Sequence, residues 1–239
     1  MDDYADPLES YRRPTATRPL LGLTVLVVED SRYACDAMRL LCLRSGARIR
    51  RADCMASARR HLQVYRPSVV IVDLGLPDGS GADLIAELVN ATPRIDVVLG
   101  TSGDTFSEDV AMAAGADGFL AKPIESVVVF QSKILSALPP ERQPSGPRLV
   151  SNDPIHPDPL SFRDDMAHAA EVLDSRGDGR MLDYVAQFLR GVAMSAGDAP
   201  LEVAAKDLSD ARANGRPIQS VVARVAALIH DRLSEKVAI

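Results

Sequence analysis

Four groups of chemically capable residues each close an apolar run. Val25-Leu26-Val27-Val28 leads into Glu29-Asp30, and Val69-Val70-Ile71-Val72 leads into Asp73. Val97-Val98-Leu99-Gly100 leads into Thr101-Ser102, and Phe119-Leu120-Ala121 into Lys122-Pro123. Short β-branched runs predict buried strands, so each group is delivered to a strand tip, where open α/β sheets bind their ligands. If the first and third strands are neighbours, Glu29, Asp30 and Asp73 meet. Three carboxylates packed together repel, and some of them are held protonated unless a cation joins them. Mg²⁺ prefers oxygen ligands and takes one or two carboxylates plus a phosphate oxygen, so the three acids read as a Mg²⁺ site. Lys122 adds a fixed positive charge and Thr101 a hydroxyl. A carboxylate nucleophile, a metal, a lysine and a hydroxyl are the parts needed for in-line phosphoryl transfer to Asp73.

The elements that must position these groups alternate from Leu21 to Leu138. The patterning predicts strands at Thr24–Val28, Arg48–Ala52, Ser68–Val72, Asp96–Gly100 and Gly118–Ala121. Helices are expected at Ser31–Ser45, Met55–Tyr65, Gly81–Asn90, Ser107–Ala114 and Glu125–Leu138. Five such repeats imply a doubly wound, five-stranded parallel sheet, flavodoxin-like in the order 2-1-3-4-5. Residues 1–20 are polar and carry three prolines, which predicts a disordered arm. Residues 139–159 carry seven prolines, which predicts a semi-extended linker. Residues 160–239 read as an all-α bundle of about four helices. In that bundle Ser161 and Asp164 form a capping box, Asp198 caps the third helix, and Pro217 starts the fourth.

Composition narrows the function. The 239 residues carry a net charge of −6 and no Trp, which disfavours a stacking platform for bases or broad phosphate-backbone binding. Residues 151–239 contain 10 basic and 14 acidic residues, with no basic face suited to a recognition helix; nucleic acid is an unlikely partner on this reading. Cys35, Cys42 and Cys54 lack metal or disulfide spacing and read as packing. An N-terminus without an apolar core is not a signal peptide, and no stretch reaches membrane-spanning length. A cytoplasmic protein without a membrane partner is expected.

The joint pattern resembles the receiver domain of bacterial two-component response regulators, chemotaxis-regulator-like in form. It rests on Val27-Val28-Glu29-Asp30-Ser31, on Asp73-Leu74-Gly75-Leu76-Pro77 with Gly81, on Thr101-Ser102, and on Phe119-Leu120-Ala121-Lys122-Pro123. The resemblance covers residues 22–138 and leaves the helical module unassigned. It implies that Asp73 is the phosphoacceptor and that Asp30, Asp73 and the Gly75 backbone carbonyl ligate Mg²⁺, with Glu29 acting through water. Lys122 is implied to pair with the phosphoryl group, Thr101 to swing towards it, and Phe119 to follow Thr101 as the switch aromatic. Gly75 and Gly103, both small, are implied to leave the phosphoryl group open to water. The expected donor is a cognate histidine kinase or phosphotransfer protein. The protein itself is expected to be no enzyme beyond autophosphorylation from small donors and autodephosphorylation.

The output is expected to be a non-DNA-binding protein-interaction module with a protein partner. Homodimers are expected through the face of the fourth helix, fifth strand and fifth helix, where Val127-Val128-Val129 cannot all face the sheet. The C-terminal bundle offers a second dimer surface, since Ile218, Val222, Val225 and Ile229 are spaced 4-3-4. One alternative is a phosphorelay intermediate passing phosphate to His168 or His230. Another is an atypical DNA-binding transcriptional regulator. His61 and His156 read as solvated and linker residues. A haloacid-dehalogenase-type phosphatase is disfavoured, because the first strand ends Glu29-Asp30-Ser31-Arg32 without an Asp-x-Asp nucleophile.

Overall fold

The computed structural model describes residues 13–235 except 105, 145, 149–153 and 175–178. Strands β1 (Thr24–Val28), β2 (Arg48–Ala52), β3 (Val69–Asp73), β6 (Val97–Ser102) and β7 (Gly118–Ala121) form one sheet, and β4 (Gly75–Leu76) and β5 (Gly79–Ser80) pair as a separate two-residue hairpin. The sheet order is β2-β1-β3-β6-β7, with every pairing parallel. This is the flavodoxin-like doubly wound arrangement. Every residue of β3 and β6 is buried, whereas edge strand β2 exposes three of its arginines. A central parallel strand is covered on both faces and so reads as continuously apolar.

Helices α1 (Arg32–Ser45), α2 (Met55–Val64), α3 (Gly81–Asn90), α4 (Ser107–Ala113) and α5 (Val127–Ala137) cover the sheet. One core packs α1 and α5 on one face, through Met38, Leu41, Phe130 and Ile134; the other packs α2, α3 and α4, through Ala58, Leu84, Ile85 and Ala111. Cys35 and Cys42 are buried in the first core, where burial pushes the Cys42 thiol up to about 12.

Residues 1–12 of the expected arm lie outside the described residues. Leu20, expected within that arm, is fully buried and donates its amide to Ser45. Within the proline-rich stretch, Pro140–Arg142 form a 3₁₀ turn and Ile155 is buried in the first core. Among its described residues, the expected semi-extended linker thus carries a short turn and one contact with the receiver core.

Four more helices follow: α6 (Pro159–Asp174), α7 (Gly179–Ala196), α8 (Ala199–Ala213) and α9 (Gln219–Ser234). They share a third core through Met166, Val185, Leu189, Val192, Leu208, Val225 and Ile229. Asp198 caps α8 by accepting from Leu201 N. Two expected helix starts are corrected. Pro159 already occupies the first turn of α6, so Ser161 lies inside the helix; α9 begins at Gln219, after Pro217. The 4-3-4 seam faces inward, with Val225 and Ile229 buried and Ile218 and Val222 packed on the same core, so the bundle itself takes up the proposed dimer seam. Among the described residues, no helix is long and apolar enough to cross a membrane.

Candidate functional site

The parallel register brings the strand tips together. Val28 lies beside Val72, and Asp73 beside Thr101. Glu29, Asp30 and Asp73 each offer a carboxylate oxygen, and these oxygens lie within 4.8 Å of one another. Lys122 Nζ donates to Asp73 Oδ2 at 2.7 Å. Glu29 Oε2 also lies 2.7 Å from Nζ, as an ion pair out of hydrogen-bond alignment, and is buried without a hydrogen bond of its own. Gly75 N donates to Asp73 Oδ1, and Ser31 N donates to Glu29 Oε1.

Local backbone chemistry holds this arrangement. Gly81, the first residue of α3, comes so close to the Asp73 strand end that a Cβ would stand 1.9 Å from the Asp73 carbonyl oxygen. Only glycine fits that approach. Asp78 accepts from the first amides of α2, Met55 N and Ala56 N, satisfying donors that a helix start leaves orphaned.

Electrostatics mark the cluster as short of positive charge. Burial, and then the Asp73 charge, push the Asp30 carboxyl up to about 7. The same two causes hold Glu29 well above the ordinary carboxylate range. For Lys122, burial acts to lower the pKa, but the charges of Asp73 and Glu29 outweigh it and raise it. One lysine does not neutralise three acids. A hard divalent cation would, so the donor set fits a metal such as Mg²⁺.

Not every expected residue joins the cluster. The Thr101 hydroxyl is fully buried and donates to the Leu120 carbonyl at 2.7 Å. Phe119 is buried in the second core, close to Gly100. His168 is exposed, but its Nε2 lies 3.1 Å from the Tyr184 hydroxyl. His230 is exposed on α9, and His61 is half-buried against Tyr65.

The residues that sequence patterning does not reveal come from the bundle. The Tyr184 hydroxyl donates to Asp30 Oδ2 at 2.7 Å. Asp165, itself buried, accepts from Ser31 Oγ at 2.7 Å, from Arg32 N at 2.8 Å and from Tyr33 N at 3.1 Å, and so caps α1 from another helix. Arg32 pairs with Asp164, and Arg190 approaches Asp104. Gly75 is buried and Gly103 half-buried against α7: a Cβ on Gly75 would meet Gln187, and one on Gly103 would meet Met194. Gln187, Phe188 and Gly191 join Glu29, Asp30, Asp73, Gly75 and Lys122 around a cavity of only about 10 Å³.

Residues 25–132 match the family model described as the response regulator receiver domain. A probable transcriptional regulatory protein, TcrX, from Mycobacterium tuberculosis is 33% identical over 55% of this chain and 57% of its own length. The transcriptional regulatory protein KdpE from the same species is 35% identical over 41% of this chain and 44% of its own. The chain thus spans about half the length of these curated relatives. Among solved structures, the signal receiver domain of a signal transduction histidine kinase from Syntrophus aciditrophicus is 25% identical. It covers 48% of this chain and 89% of its own, with a TM-score of 0.44. Family match and sheet topology agree: residues 25–132 are a response regulator receiver domain.

Proposed function

We propose that the protein is a phosphoacceptor switch in which Asp73 is phosphorylated by a histidine kinase or phosphotransfer protein. The observation that carries this is the cluster of Glu29, Asp30 and Asp73 beside Lys122, three acids whose carboxylate oxygens lie within 4.8 Å of one another with one lysine among them. In the transfer step an Asp73 carboxylate oxygen attacks the phosphorus. The bond from phosphorus to the donor nitrogen or oxygen breaks, and the donor leaves with the electron pair. Lys122, already on Asp73, screens the incoming phosphoryl charge. Mg²⁺, held by Asp30, Asp73 and the Gly75 carbonyl with Glu29 behind them, would supply charge neutralisation between carboxylate and phosphate. Thr101 and Phe119 would then change partners as the switch, biasing a pre-existing equilibrium. Val110, Met112 and Val129 are exposed on α4 and α5 and suit a homodimer through that face.

In this reading residues 21–138 are the receiver, 139–159 the linker and 160–239 a protein-binding output module. Arg212, Arg224 and Arg232 each pair with an aspartate of the bundle, namely Asp183, Asp207 and Asp198, which favours a protein partner over DNA. A DNA-binding output is the second reading, because relatives carry the names of transcriptional regulators. The test is labelling of the full chain with acetyl phosphate. Stoichiometric, Mg²⁺-dependent, base-labile label that vanishes in Asp73→Asn is expected; sustained turnover of phosphoesters contradicts it. Salt-sensitive DNA retention induced by beryllofluoride would select the second reading.

A further inference from the structure

The bundle sits on the mouth of the acidic cluster, and its seat there is built from both sides. On the receiver, Gly75 and Gly103 provide the hollows that receive Gln187 and Met194. On α7, Gly191 is the matching small residue: a Cβ there would stand 3.6 Å from Lys122 Nζ. Tyr184 occupies Asp30 Oδ2, while Asp165 ties α6 to the first turn of α1. Asp36 adds a tie to the proline-rich segment by accepting from Asp158 N. The volume left among Asp73, Lys122, Gln187, Phe188 and Gly191 is about 10 Å³, at the lower limit of what one water requires. A phosphoryl group on Asp73 does not fit while α7 is seated.

We propose that α7 is a removable lid on Asp73, and that the bundle and a helical or small-molecule phosphodonor compete for the same surface around the acceptor. The inference rests on the reading of Asp73 as phosphoacceptor. Because the phosphoryl group and the lid exclude each other, the coupling runs both ways. Lid seating slows phosphorylation, and phosphorylation unseats the lid. Unseating exposes the α7 face of Tyr184, Gln187, Phe188 and Met194, which is the surface a protein partner would then read.

The test uses the full chain with radiolabelled acetyl phosphate and Mg²⁺. Gly191→Leu drives carbon atoms into Lys122 without touching the bundle core, and it raises helix propensity. Asp165→Ala removes the tie to α1 independently. Both variants should label faster than the unaltered chain by about tenfold or more, since the rate scales with the open fraction. Amide hydrogen exchange at residues 184–194 should rise in both variants, and in the unaltered chain on adding beryllofluoride. Equal labelling rates in all three chains, with Asp73→Asn still blank, overturn the lid and leave the acceptor reading standing. Unchanged exchange at 184–194 with beryllofluoride bound, read by ¹⁹F resonance, overturns it too. Label that persists in Asp73→Asn overturns the acceptor reading, and the lid with it.

Discussion

Two buried carboxylate environments lie side by side in this protein and are opposites in design. Asp165 has three donors, Ser31 Oγ, Arg32 N and Tyr33 N. It answers the open amides of a helix start as an ordinary cap does, except that it comes from a different helix. Glu29 and Asp73 share one lysine, and Asp30 has the Tyr184 hydroxyl. The first carboxylate is satisfied and holds structure together. The second set has three acids to one lysine, and burial and the Asp73 charge hold Glu29 and Asp30 above the ordinary carboxylate range. The contrast separates scaffold from chemistry without reference to any relative.

The sharpest way to break the comparison is to remove the satisfied acid. Asp165→Ala leaves Ser31 and two α1 amides unanswered, and should cost about 2–3 kcal/mol in denaturant unfolding. Next in size is the cation. Titrating Mg²⁺ should stabilise the unaltered chain by about 2.7 kcal/mol at a hundredfold excess over Kd, seen as a rise in Tm that Asp73→Asn loses. The most diagnostic change is smaller and of opposite sign. Asp30→Asn removes one of three repelling charges yet keeps an acceptor for Tyr184, so without metal it should gain about 1 kcal/mol; a loss comparable to that of Asp165→Ala would erase the distinction.

Smallest is a third kind of carboxylate, Asp198, which has both a helix amide and Arg232. Hydrogen bonding to Arg232 holds its pKa below the usual range. Its contribution is therefore present above the unfolded-state pKa and lost as pH falls through the lowered folded value. Asp198→Asn should flatten that part of the acid stability curve by less than about 1 kcal/mol, since the pair is partly solvated.

Much of this was legible in the residue order. The all-apolar runs of β1, β3 and β6 specify a parallel sheet, and the parallel register then carries Glu29, Asp30 and Asp73 together. Strand and helix bounds differ from the expected ones by a residue or two. What local patterning does not contain is the partner of each tip. Tyr184 meets Asp30 across 154 positions, and Asp165 meets Ser31 across 134. No periodicity encodes such a contact. The only trace was the glycine at 75 and at 103, read as openness to water; the structure fills both hollows with α7 side chains. Proline content likewise predicts a semi-extended linker and does not reveal that Ile155 is buried in the receiver core.

The covalent connection from α5 to α6 has a consequence in terms of concentration. A tethered occupant faces its seat at an effective concentration on the order of millimolar. If Asp73 is the phosphoacceptor proposed above, a separate donor must win that contest to reach it. The seat therefore works only if its intrinsic affinity is poor. Over the pocket the seat offers glycine hollows, one tyrosine hydroxyl, a glutamine and Phe188, while its firmest polar tie, Asp165 to α1, lies beside the pocket. Strengthening those contacts would produce a tighter protein and a deaf one.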